Sequence, residues 1–159
     1  VERWQGEPCD LLIALHARRS ADSLLRHAQA HPAVPRLLVL TGTDLYRDLA
    51  IDASAQASLG LANGLVVLQE EGLSLLPPAA RARATVIHQS VPAQTHAPFH
   101  TRRLNVLMVG HLREEKDPDT FWRAAARQSH RHDIHWTQIG RALEPCWAEG
   151  AEAVARALP

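Results

Sequence analysis

Val106 to Thr120 reads Val-Leu-Met-Val-Gly-His-Leu-Arg-Glu-Glu-Lys-Asp-Pro-Asp-Thr. The apolar run predicts a buried strand, Gly110 stands at its carboxyl end, a polar loop follows, and Pro118 suits the first position of a helix because it has no amide hydrogen to leave unpaired. A strand, a glycine turn and a helix start make one βα unit, and ligands of open α/β sheets bind at the carboxyl edge of the strands. Gly110 lets a ligand approach the backbone, while His111, Arg113 and Lys116 offer positive charge to a diphosphate beside the helix amino terminus. The plain alternative is a solvated loop whose charges from Arg113 to Asp119 pair with one another.

The same alternation runs outward in both directions. Asp10–Leu15, Arg36–Thr41, Gly64–Leu68, Thr85–His88 and Asn105–Val109 are near-continuous apolar runs, as parallel strands covered on both faces require, and Ile134–Ile139 is a weaker sixth. Between them Ser20 is placed to cap a helix reaching His31, Asp52–Ala62 and Glu70–Leu76 read as helices, and Pro118–Gln128 and Pro145–Leu158 as two more. The expected fold class is α/β with mostly parallel sheets. Periodicity fails over residues 90–103, which is long for a loop within one domain and predicts a linker between two α/β units, 1–89 and 104–159.

Composition narrows the function. The chain has 159 residues, 46% of them hydrophobic, enough for a sizeable core. Lys plus Arg (17) balances Asp plus Glu (17), so the charge excess of a nucleic-acid or anionic-membrane binder is missing. No signal-peptide pattern opens the sequence, no apolar run is long enough to span a bilayer, and Cys9 and Cys146 form no disulfide framework, all of which predict a cytoplasmic protein. Gly-x-Ser-x-Gly, Gly-x4-Gly-Lys-Ser/Thr and a strand-following Gly-x-Gly-x-x-Gly are absent, which disfavours a hydrolase or an ordinary dehydrogenase. Lys116 is the sole lysine in an arginine-rich chain.

Val109-Gly-His-Leu-Arg-Glu-Glu-Lys-Asp117 resembles the segment that opens the nucleotide-binding domain of the retaining GT-B glycosyltransferases of the family-four type. Lys116 matches the family lysine in register, and His111 stands where the family has an arginine. Asp10–His16, Leu40–Asp44 and Val86–Val91 resemble strand ends of that family's first domain and the stretch leading into its hinge. Together with Ala14–Ser20, Leu40–Asp48, Val67–Gly72 and Val109–Pro118, they look like the branch of selenosugar synthases in selenoneine biosynthesis. The resemblance implies a GT-B fold of two Rossmann-like units, each incomplete here. Residues 1–89 would be the later part of the acceptor-side domain and 104–159 the start of the nucleotide-sugar domain. It also implies transfer of a sugar from UDP-N-acetylglucosamine or UDP-glucose to selenophosphate, with no metal and no other cofactor. A piece of such an enzyme is expected to bind UDP-sugar weakly and turn over little. The alternatives are a family-four enzyme acting on a sugar, lipid or polyol hydroxyl, and a non-catalytic α/β module for a phosphorylated ligand.

The same residues have a physical reading. Thr41, Gly42, Thr43 and Asp44 at a strand's carboxyl end present hydroxyls, a free backbone and a carboxylate for a phosphate or a sugar hydroxyl, unless Asp44 merely caps the helix holding Tyr46. Arg18, Arg19 and Arg47, in the adjacent loops, supply charge for an anionic acceptor. His16 directly follows a strand, so its ring is expected to emerge at the ligand edge and donate to donor sugar or acceptor. His130, His132, His135 and Asp133 straddle a loop and a strand, a poor metal spacing that reads as solvated surface. His96 and His100 lie in the linker, and Trp122, Trp136 and Trp147 are expected to be packed.

Overall fold

Every strand pair is parallel, as the alternation of short apolar runs with helices requires. The computed structural model describes residues 3–93, 95 and 102–157, so His96, His100 and part of the expected linker lie outside the described residues. The chain divides into two compact units, Val1–Ala93 and Gln94–Pro159.

In the first unit β1 (Leu12–Leu15), β2 (Arg36–Val39), β3 (Gly64–Val67) and β4 (Ala84–Val86) form one sheet in that order. The connections carry α1 (Ala21–Ala30), a π-helical turn at Asp44–Asp48 continuing into α2 (Leu49–Ile51), then α3 (Ala53–Leu61), α4 (Glu71–Ser74) and α5 (Pro78–Arg81). Leu24, Leu38, Leu40, Leu65 and Val67 are fully enclosed and form the core with Ala17 and Ala55. Asp52 is extended (φ −112°), which separates α2 from α3, and its carboxylate accepts the Ala55 amide to cap α3.

Two local expectations change. Ser20 does not cap α1; its hydroxyl donates to the Leu15 carbonyl at 2.6 Å, fastening the turn to the end of β1 instead. The helix before Pro77 does end ahead of it, and α5 then starts at Pro78, because Pro77 supplies the extended residue that precedes a helix and Pro78 takes its first position. The strands at the sheet margin are not covered on both faces: Ala14 is buried, while Ile13 and Leu15 are exposed on the other side of β1.

In the second unit β5 (Leu104–Val109) pairs with β6 (Ile134–Ile139), with α6 (Pro118–Arg127) and α7 (Pro145–Ala157) in sequence. Trp122 is buried and donates from its indole nitrogen to Gln138 on β6 at 2.8 Å, while Trp147 on α7 lies against it. Gly150 admits α7 at this point, since a Cβ there would stand 3.0 Å from the Trp122 ring. Among the described residues no helix is long and apolar enough to cross a membrane.

Candidate functional site

In the first unit the carboxyl ends of β1 and β2 are tied together by two buried carboxylates. Asp44, wholly enclosed, accepts amides from Gly42 at 2.8 Å, Ala17 at 2.9 Å and Thr41 at 3.0 Å. Neither role read from the sequence fits this arrangement. The carboxylate is occupied by amides that precede it in the chain and lie across the adjacent loop, so it neither reaches for a sugar hydroxyl nor caps the following turn. It holds the Ala17 and Thr41–Gly42 loops in place, with Gly42 taking a φ of +144° that a side chain disfavours.

His16 stands at the carboxyl end of β1, yet its ring does not emerge. Its backbone is left-handed (φ +72°), rare for a residue with a Cβ, and the residue is 7% exposed beneath Thr43. Nδ1 accepts the Arg19 amide at 3.4 Å, which leaves the proton on Nε2, directed at the Thr43 hydroxyl at 3.2 Å. The Thr43 oxygen thereby accepts from His16 and keeps its own proton for another partner. Strain of this kind persists only where surrounding contacts enforce it, and it clusters at functional sites.

Asp48, which the sequence reading missed, is the second buried carboxylate. Arg18 Nε stands 3.0 Å from its Oδ2, without the alignment of a hydrogen bond, Arg47 Nε donates to its Oδ1 at 3.3 Å, and His16 Nε2 lies 3.9 Å from Oδ2. Arg18 and Arg47 therefore meet around one negative charge, whereas Arg19 is exposed beside them. The signal was present: Asp44 and Asp48 are one turn apart with Arg47 between them. Further along the same edge Gln69 donates to the Tyr46 hydroxyl, and His88 pairs with Glu70 at 3.2 Å. The backbone amide of Glu70 and then His88 hold the Glu70 carboxyl below its ordinary 4.5.

The edge of the second unit is built from bare backbone. Gly110 and Gly140 end the paired strands β5 and β6, and a Cβ at Gly140 would lie 1.8 Å from the Gly110 carbonyl oxygen. The aliphatic chain of Lys116 covers Gly110, its carbons 3.6 to 3.8 Å from where a Cβ of that glycine would be. His111 is exposed and turned to the neighbouring strand, where Nδ1 accepts the Arg141 amide at 3.1 Å. Arg113 lies 3.7 Å from Glu115. The start of α6 is not open: Asp117, itself left-handed (φ 45°), accepts from the Thr120 amide and from the Thr120 hydroxyl at 2.7 Å. That hydroxyl first, and the amide with it, hold Asp117 below its ordinary 3.8. The helix amino terminus expected to lie beside a diphosphate is thus already capped by a carboxylate.

Gly110, His111 and Lys116 are brought together, and Arg113 is drawn to Glu115. Among the described residues no group of three His, Cys, Asp or Glu side chains is placed to hold a metal ion. Asp133 is taken instead by Arg131, at 2.6 Å and 2.7 Å, which depresses its pKa to about 2. No family model matches this sequence, and no curated protein does. Among solved structures the chain is similar to one in a crystal structure of accessory secretory protein 1, 2 and 3 from Streptococcus pneumoniae. The match has 17% identity and a TM-score of 0.46, covering 93% of this chain and 30% of that one.

Proposed function

We propose that this protein is a glycosyltransferase of the GT-B, family-four type, in which the second unit holds the diphosphate of a UDP-sugar and the first takes the acceptor. The observation that carries the reading is the side chain of Lys116 lying across Gly110, which brings a cation to the carboxyl end of β5. Lys116 balances the charge that develops on the departing UDP, which is why no metal is required. In the first unit Thr43, held by His16, has its hydroxyl proton free to donate to an acceptor oxygen, and His16 acts as a positioning residue behind it.

The acceptor proposed is selenophosphate, and the product a 1-seleno-sugar. Selenium forms a bond to the anomeric carbon as the carbon–oxygen bond to UDP breaks, and hydrolysis of the phosphorus–selenium bond then releases phosphate. Arg18, Arg19 and Arg47 gather at the edge where such an anion would sit. One observation favours a neutral hydroxyl acceptor instead: Asp48 already engages Arg18 and Arg47.

The experiment incubates the intact protein that contains this chain with UDP-N-acetylglucosamine or UDP-glucose and, separately, selenophosphate, thiophosphate, phosphate and a sugar alcohol, following UDP release and product mass. UDP release with selenophosphate alone and a seleno-sugar mass are expected. Release only with the hydroxyl compound would move the acceptor to the second class, and saturable binding with no release from any mixture would leave a phospho-ligand module. A His16→Ala variant with undiminished turnover would remove His16 and Thr43 from the account.

A further inference from the structure

An exposed arginine stands beside His111 on the neighbouring strand. While Nδ1 of His111 accepts the Arg141 amide, the ring carries its proton on Nε2 and is a neutral donor. The loop around it is short of positive charge, since Arg113 and Lys116 face Glu114, Glu115 and Asp117, and Arg113 is drawn to Glu115. A diphosphate set there on Lys116 alone would meet more carboxylates than cations.

Arg141 changes that balance. The pairing of β5 with β6 continues past both strands: the Gly110 amide donates to Ile139 O, the Leu112 amide to Arg141 O, and Leu112 bridges Ala142. His111 and Arg141 therefore stand side by side, each one residue beyond the glycine that ends its strand. Arg141 is exposed, and its guanidinium engages no carboxylate among the described residues. Its backbone is fixed by bonds in both directions, because the amide holds His111 and the carbonyl accepts from Leu112 at 2.9 Å.

The geometry points to Arg141 as a phosphate-binding residue of the second unit, set beside His111 on the adjacent strand and adding a cation to that of Lys116 at the same strand end. This rests on the reading of that edge as a diphosphate site. A guanidinium is suited to the task because its fork of donors matches the paired oxygens of a phosphate.

The test titrates the full chain with UDP and, separately, with inorganic pyrophosphate by calorimetry. Arg141→Ala is expected to weaken both by about tenfold, the size of one charge-assisted contact. Arg141→Lys should retain part of the affinity, and adding His111→Arg to Arg141→Ala should restore it, which a purely structural role would not allow. Arg141 gives only its backbone to the fold, so the melting temperature of R141A should not move. UDP bound equally by wild type and R141A would overturn the inference while leaving the nucleotide site standing. Pyrophosphate binding that depends on Arg141, with UDP no tighter, would uphold Arg141 and remove the nucleotide. Binding of neither probe to the wild type would overturn both.

Discussion

The two units finish their strands in opposite ways. In the first, the carboxyl ends of β1 and β2 are closed by acids: Asp44 is filled with backbone amides, Asp48 with arginines, and His16 is folded under Thr43. In the second, the ends of β5 and β6 are closed by two glycines in contact, and the charged side chains stand outside them. One edge is internally compensated, its buried carboxylates taken by amides and arginines. The other is an open backbone floor with cations at its rim. The same βα geometry thus produces a charge-paired edge in one place and a bare-backbone edge in the other, according to whether carboxylates or glycines end the strands.

The contrast can be broken most forcefully at Gly140. Gly140→Ala sets a methyl group against the Gly110 carbonyl, backbone against which no side chain can yield, and is expected to cost the second unit about 3 kcal/mol in chemical denaturation while sparing the first. Asp44→Asn comes next. It replaces a carboxylate oxygen with an amide that cannot accept from Ala17, Thr41 and Gly42 together, and should cost the first unit about 2 kcal/mol. Ser20→Ala, which removes only the bond to Leu15 O, should cost about 1 kcal/mol in the same assay.

Protons give the gentlest separation. His27 on α1 is wholly buried beside Cys9, and burial first, then the charges of His31 and Arg36, hold its pKa below 6.5. The unfolded chain therefore binds more protons than the folded one below that value. The stability of the first unit is complete above pH 6.5 and falls as the pH drops through the folded pKa. In the second unit Asp133 is lowered from 3.8 to about 2, so its contribution is intact above pH 3.8 and lost toward pH 2. Amide exchange between pH 6.5 and 5 should loosen α1 and leave β5 and β6 unchanged; equal loosening of both would contradict the comparison.

Much of the fold is legible because it is written in periodicity. Ile134–Ile139 is recovered to the residue and Pro118 and Pro145 open their helices where proline permits, since apolar runs and proline act within a few positions. The sites are less legible because they depend on pairing across the sheet. Ser20 has the identity of a cap, but its hydroxyl donates to Leu15 O and takes no amide of α1. Asp44 was singled out as a strand-end carboxylate, yet only the loop holding Ala17 reveals what it binds. Arg141 had a signal of its own: Ile139-Gly-Arg141 repeats the strand–glycine–base order of Val109-Gly-His111. That likeness acquires meaning once the parallel register sets the two side by side.

The contact between Gly110 and Gly140 also says how this protein can be altered. Because the floor of the second edge is made of main chain, its shape is set above all at Gly140, where a Cβ would meet the Gly110 carbonyl, while the residues around it hang from loops. A library randomised at positions 111, 113 and 141 with both glycines kept would sample new charge patterns over an unchanged floor, and one randomised at 140 would mostly sample unfolded chains. Specificity and architecture here are separately editable.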